Sequence, residues 1–342
     1  MDDLPPLPVG KLPADLLARL LRHAPRADAR VLVGAGIGVD AAVIDFSPWP
    51  LVAKSDPITF ATDEIGWYAV HVNANDVAVM GGTPRWFLAT LLIPQGAPVS
   101  LPEEIFIQVA DACRALRVDL VGGHTEITAG LPRPIVVGHM LGEVVNRRVV
   151  TSAGARPRDA LLLARGIPIE ATALLARECG DALRAAGLTE ADVARAAAFL
   201  RDPGISVVAE ARLALERARV TAMHDPTEGG LATGLRELAM AASVGLRVYE
   251  LRILVPDLSA RICAALSLDP LGCIASGALL LTCHPDDAPS LLAAYQEQGV
   301  PAAQIGEVLP ADQGLRIVRK EGTETDLPAF PRDEIARLFE GE

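Results

Sequence analysis

The sequence predicts an α/β (α+β) protein built as two domains, and three observations carry that reading. At 342 residues the chain is longer than a single hydrophobic core usually organises. Hydrophobic residues make up 51% of it, enough apolar side chain to build buried cores rather than a disordered chain. In both halves, apolar runs of strand length alternate with amphipathic stretches, the pattern of sheets covered by helices.

The elements follow in order. Leucines at 12, 16, 17, 20 and 21, with Pro13 in the first turn, predict a helix over 11–23. Strand-like 31–34 and apolar runs at 41–46, 51–53, 69–80 and 86–93 come next. Pro102 and two glutamates open an amphipathic helix over 102–117. Residues 119–123 and 134–145 read as strands, and the pattern breaks at 147–158, which divides the chain into domains 1–150 and 151–342. The second half opens with a strand at 160–164 and alanine-rich helices at 168–200 and 205–218. A strand-like 220–225, a glycine-led helix at 229–243, apolar runs at 246–255 and 277–283, and a helix at 286–298 complete it. The most apolar stretch, 271–284, is broken by Gly272 and Gly277 and is shorter than the roughly 20 residues that span a bilayer. It reads as a buried strand, and no membrane association is expected.

A net charge of −12 argues against a nucleic-acid partner, which a basic stripe would hold. It leaves ATP open, since an acidic site can hold a nucleotide through a divalent metal. The start, Met1-Asp-Asp-Leu-Pro-Pro, lacks the basic and apolar segments of a signal peptide. Cys113, Cys179, Cys263, Cys273 and Cys283 form no C-x-x-C pair, so a zinc site is not expected and a reducing cytoplasm is.

Five segments carry chemistry. Gly34-Ala-Gly36-Ile-Gly38-Val-Asp40 lacks the third glycine of a dinucleotide fingerprint, because Val39 stands there, and the chain has no Gly-Lys-Ser/Thr of a P-loop. It remains either a turn delivering Asp40 to a ligand or an ordinary hairpin turn. Lys54-Ser-Asp56-Pro places a cation and an anion two residues apart, on one face of a strand, as a phosphate-site pair or a surface salt bridge. Asn73-Ala-Asn75-Asp76 offers three oxygen donors at the entrance of an apolar helix, with 73 and 76 on one face. In Gly122-Gly123-His124-Thr-Glu126 the glycines permit a backbone to approach a ligand. There His124 is a phosphate contact or a structural hydrogen-bonder, and Glu126 a metal ligand or a general base. His224-Asp225-Pro-Thr-Glu-Gly229-Gly230 ends a strand and starts a helix, whose free N–H groups bind an anion or are simply capped.

Together these segments resemble the aminoimidazole ribonucleotide synthetase (PurM-like) superfamily, and within it the HypE family of hydrogenase maturation proteins. Ser55-Asp-Pro-Ile-Thr-Phe, Ile65-Gly-Trp-Tyr-Ala-Val, Pro84-Arg-Trp-Phe-Leu, Gly10-Lys-Leu-Pro and Ala275-Ser-Gly-Ala-Leu-Leu-Leu extend the resemblance beyond the core motifs. It implies two α/β domains, a homodimer formed by pairing N-terminal sheets, and an ATP cleft between domains. Asp40, Asp56, Asp76 and Asp225 would then hold Mg²⁺ and the triphosphate. Lys54 and His124 would neutralise charge, and Glu126 would serve as base or further metal contact. Gly36, Gly38, Asn73, Asn75, Gly122, Gly123, Gly229 and Gly230 complete the implied nucleotide site.

HypE proteins act on their own C-terminal cysteine, whereas this sequence ends Phe339-Glu-Gly-Glu342 and its last cysteine is Cys283. Selenophosphate synthetases carry a reactive residue near the N-terminus, and the first cysteine here is Cys113. The expectation is therefore a HypE-like enzyme that activates a carboxamide, carboxylate or phosphate oxygen on a separate small molecule or partner protein. A kinase of the thiamine-phosphate type and a non-catalytic nucleotide-binding scaffold are the alternatives.

Overall fold

The structure, a computed structural model, describes residues 28–34, 36–59, 61 and 63–338, together with Ala18. The helix expected over 11–23 otherwise lies outside the described residues. Two sheets organise the chain. The first has the order β1 (Val31–Val33), β2 (Ala42–Ile44), β3 (Leu51–Ile58), β6 (Ile135–Glu143), β4 (Thr83–Pro94) and β5 (Asp119–Thr128). Only β4 and β5 are parallel, and the helix α2 (Ser100–Leu116) makes the crossover between them.

The apolar run at 69–80 belongs to α1 (Ile65–Val79), and the expected helix at Asn73–Asp76 begins earlier, so those residues lie within it rather than at its entrance. The helix shows no one-sided apolar stripe because nearly all of it is buried, its polar His71, Asn73, Asn75 and Asp76 included. Ile65, Ala69, Val72 and Val77 share a core with Phe87, Val136 and Met140 of the sheet and with Ile105 and Val109 of α2. Ala78 and Val79 enter a second cluster with residues of the second sheet. On the other face of the first sheet, Leu88, Leu92, Val137 and Leu141 stay partly exposed.

The second sheet runs β13 (Glu324–Asp326), β12 (Leu315–Val318), β9 (Gly245–Tyr249), β11 (Ala302–Leu309), β7 (Ala160–Ala164), β10 (Leu279–Cys283) and β8 (Val220–His224). β7 reads as a continuous apolar run because helices cover both faces, and its side chains still alternate. Leu161 and Leu163 pack with Leu231, Leu235 and Leu238 of α7 (Gly230–Ala242). Ala160, Leu162 and Ala164 pack with Ala211 and Ala214 of α6 (Val208–Arg217) and with Leu291 and Tyr295 of α9 (Ala288–Glu297).

Several expected elements differ. The helix expected over 168–200 is three: α3 (Ile169–Glu178), α4 (Gly180–Ala185) and α5 (Glu190–Ala197). Gly180 and Gly187 interrupt the run, and Thr189 restarts it with a capping box, its Oγ1 accepting from Asp192 N at 3.1 Å. The run at 246–255 becomes β9 and a short 3₁₀ turn, followed by α8 (Asp257–Ala265). Of 271–284, only 279–283 is strand; 270–272 is 3₁₀ helix opened by Pro270. Strands β11, β12 and β13 were not anticipated. No helix among the described residues is long and apolar enough to cross a membrane.

Candidate active site

Lys54 and Asp56 lie on the helix-covered face of β3, since they pair with the inward-facing Met140 and Gly138 of β6. Lys54 Nζ stands 3.3 Å from Asp56 Oδ2 and 3.1 Å from Asp76 Oδ2, which α1 brings to the same point. Burial would push the Lys54 ammonium down, but Asp76 and Asp56, with Asp40 and Asp225 behind them, outweigh it and keep it charged. Burial raises the Asp76 carboxyl to about 7, with Lys54 opposing.

The second sheet meets this cluster at the end of β8. His224 Nδ1 is 2.7 Å from Asp40 Oδ1, and its Nε2 is 2.9 Å from Glu237 Oε2 on α7. Burial disfavours the imidazolium, yet the two carboxylates raise it well above the ordinary histidine value. Ser152 Oγ lies 3.1 Å from the Met223 carbonyl and 3.4 Å from Asp40 Oδ2. Asp225 follows directly, 1% exposed, and neither of its oxygens has a hydrogen-bond partner. Burial, then Asp76 and Asp40, push its carboxyl well above the usual range.

The arrangement gathers Asp40, Asp56, Asp76, Asp225 and Glu237 around two cations, Lys54 and His224. A buried carboxylate with two orphaned oxygens is costly unless something cationic meets it. Hard oxygen donors in this number suit a divalent ion such as Mg²⁺. Donor atoms of Asp40, His224 and Asp225 lie within 4.8 Å of one another. His224, held protonated between two carboxylates, serves there as a counter-ion rather than a ligand.

The structure thus brings Asp40, Lys54, Asp56, Asp76 and Asp225 together. The turn over 36–39 delivers Asp40, and Gly38 takes φ +68° with its α-carbon against α7, where a Cβ would sit 2.6 Å from the Glu237 carbonyl oxygen. Gly36 closes the same turn, its carbonyl accepting from Val39 N at 3.3 Å.

Other expected site residues go elsewhere. His124 and Glu126 pair with Thr90 and Leu92 in register, which puts them on the face of the first sheet away from Lys54 and Asp56. Their side chains are 68% and 60% exposed and lie 3.5 Å apart. Within one chain they do not reach the acidic cleft, and Gly122 and Gly123 share their strand. Asn75 is engaged within the chain: Nδ2 donates to the Ile205 carbonyl and Oδ1 accepts from Val207 N, both at 2.8 Å. Asn73 Nδ2 donates to the carbonyls of Ala69 (2.8 Å) and Asp56 (3.3 Å), fixing the strand that bears Lys54. The glycine pair ahead of α7 is also bonded within the chain. Gly229 N–H donates to Asp333 Oδ2 at 2.7 Å and Gly230 N–H to the Thr227 carbonyl at 3.0 Å, so internal acceptors hold the groups expected to meet phosphate.

Sequence reasoning gave no role to His224, Ser152, Glu237 or Glu170. His224 had a signal, its place beside Asp225 at a strand end. Ser152 and Glu237 had none, because folding alone brings them in. A cleft of about 350 Å³ adjoins the cluster through Asp56, and Glu170 of α3 lines it.

Residues 38–144 match the N-terminal domain, and residues 156–318 the C-terminal domain, of AIR synthase related proteins. The chain belongs to the AIR synthase related family and has its PurM-like fold. Among curated proteins it is similar to the carbamoyl dehydratase HypE of Cupriavidus necator, with 32% identity over 258 residues, 74% of this chain and 70% of that one. Among solved structures it is similar to the hydrogenase maturation protein HypE in complex with ATP, at a TM-score of 0.70 and 24% identity over 91% of this chain and 89% of that one. It is equally similar in fold to AaThiL complexed with AMPPCP and TMP, at a TM-score of 0.70 and 20% identity over 93% of this chain and 94% of that one.

Proposed function

We propose that this chain is an ATP- and Mg²⁺-dependent enzyme of the HypE kind, which activates an oxygen of a separate substrate by phosphoryl transfer with release of ADP. The observation that carries this reading is the unpartnered, buried Asp225 facing Asp40 and Asp76 beside the Lys54 ammonium. The relative named carbamoyl dehydratase supports a dehydration-type outcome, in which a carboxamide oxygen leaves as phosphate.

Asp40, Asp76 and Asp225 would hold Mg²⁺, with Asp56 at the edge of the set; the ion supplies positive charge against the polyphosphate. Lys54 places a point charge where negative charge develops on the transferred group. The pairing of Lys54 with Asp56 and Asp76 fixes that ammonium, so little reorganisation accompanies the reaction. His224 holds Asp40 in place from the second sheet. We assign residues 1–150 and 151–342 as the two domains that close on this site.

Two copies of the chain would pair through the half-covered face of the first sheet, burying Leu88, Leu92, Val137 and Leu141. His124 and Glu126 lie on that face, so they act as residues donated across the pair. A separate substrate, small molecule or partner protein, agrees with the burial of Cys113, Cys263, Cys273 and Cys283, none of which lines the cleft.

The kinase alternative has the fold of the ThiL neighbour behind it, but the curated sequence match favours the HypE kind. Incubation with Mg²⁺–ATP and candidate acceptors separates the readings. A trapped phosphorylated product that persists points to a kinase; ADP and phosphate released with a dehydrated acceptor support the proposal; binding without turnover supports a scaffold.

A further inference from the structure

The acidic cluster accounts for one end of the cleft and leaves the other without a role. Asp56 and Thr227 belong to the shared boundary, and the cleft then extends to Glu170, Glu228 and Ser276. Its remaining wall is mostly apolar, with Ile58, Val72, Leu174 and Ile274 beside Thr59.

Glu170 is the unusual member. It sits in the first turn of α3, where the helix dipole favours a negative charge. The residue is 6% exposed, and its Oε2 has no hydrogen-bond partner. No Lys, Arg or His is among the described residues that line the cleft. A buried acceptor without a partner, on a residue that lines a cleft, costs stability unless a ligand supplies the donor. Binding sites for small molecules share this form: an apolar wall with a few convergent polar groups that fix orientation.

We propose that Glu170 is the specificity-determining residue of the acceptor subsite, where its carboxyl group receives an N–H group of the substrate. The inference rests on the reading of the adjoining cluster as the ATP end of the cleft. The lining offers carboxyl acceptors, Glu170 and Glu228, and no Lys, Arg or His, which disfavours an acceptor whose near end is a carboxylate or a phosphate. An amide, amidine or amine nitrogen meets Glu170 as a donor instead. A substrate held that way directs its far side toward Asp56 and Lys54. Burial raises the Glu170 carboxyl to about 7, with the neighbouring Ser276 opposing, so the group can change protonation as a donor arrives.

Benzamidine, benzamide and benzoate share a ring and differ in the polar group, so calorimetric titration of the full chain with each probes the subsite. Benzamidine and benzamide should bind at least tenfold more tightly than benzoate. In Glu170→Gln that preference should fall to within about threefold, while the affinity for Mg²⁺–ATP, titrated separately, stays within twofold of the parent. The variant replaces a buried carboxyl with its isostere, so folding should survive. Were it to fail, Glu170→Asp retains the charge, withdraws it by one methylene and should weaken benzamidine at least fivefold. Equal or tighter binding of benzoate by the parent protein, or an unchanged preference in the variants, overturns the proposal. A chain that discriminates the probes but does not bind Mg²⁺–ATP would instead overturn the reading of the cluster and leave the subsite standing.

Discussion

Asp40 Oδ1 and His224 Nδ1 meet at 2.7 Å, joining the loop ahead of β2 in the first sheet to the last residue of β8 in the second. The contact aligns the carboxylates from the two halves of the chain at a single point. Glu237 completes the imidazolium's environment from α7.

Removing His224 should therefore cost stability as well as function. His224→Gln leaves Asp40 and Glu237 buried without their shared cation, and loss of one partner in such a buried pair costs about 3–5 kcal/mol. Urea denaturation should show a drop of that order. A change below about 1 kcal/mol would mean that the pairing does not hold the two sheets together.

Asp225 should behave in the opposite way. Asp225→Asn removes a buried carboxyl that has no hydrogen-bond partner, so the metal-free protein should become more stable. The parent should gain melting temperature on adding millimolar Mg²⁺, because an ion bound only by the folded state stabilises it. The variant should lose most of that gain. An equal Mg²⁺ response in both proteins, read by differential scanning calorimetry, would remove Asp225 from the metal set.

His71 sets a pH dependence. Burial, with Arg201 adding to it, lowers this imidazole to about 3, and both ring nitrogens lack hydrogen-bond partners. Unfolded, the same group takes up a proton near pH 6.5. The unfolded state thus binds more protons below 6.5, so the stability contributed by neutral His71 is complete above that pH and declines toward 3. Between pH 7 and pH 5 the loss is about 2 kcal/mol by this linkage. His71→Leu should remove that part of the slope, measured as the difference between the two denaturation curves at each pH. Parallel curves would show that the imidazole is charged, or reached by water, in the folded protein.

Asn75 tests a position that the structure ties to residues 205 and 207. Asn75→Ala removes two hydrogen bonds to residues 205 and 207 and leaves a buried N–H without an acceptor, a loss of about 2–4 kcal/mol. If Asn75 instead met the nucleotide, the variant would keep its melting temperature and lose ATP affinity.

Much of this was legible in the residues. Asp56, Asp76 and Asp225 stand out in sequence because each interrupts an apolar run beside a proline or asparagine, Asp40 follows a glycine-rich turn and Lys54 lies two residues before Asp56, and the structure gathers all five. Lys54 and Asp56 could be placed on one face by the period of a strand alone. The same period puts His124 and Glu126 on one face, but which face depends on the register of β5 against β4, and that register is not written locally. Asn75 and the Gly229–Gly230 pair had the right chemistry for a ligand, yet internal partners from residues 205–207 and from Asp333 take it up. The partners of Asn75 and Gly229 lie more than 100 residues along the chain. The strands of 302–326 are short or interrupted by polar residues, β13 carrying none that is apolar, and pairing with β7, β9 and β12 defines them more than composition does.

The most direct test is Mg²⁺-dependent ATP hydrolysis by the full chain, compared with Asp225→Asn and Lys54→Ala under identical conditions. The expected result is turnover that requires Mg²⁺ and falls at least a hundredfold in each variant, since each removes charge stabilisation worth about 3 kcal/mol or more in the transition state. Turnover that persists in both variants, or that proceeds equally without a divalent ion, would contradict the assignment of this cluster as the ATP site.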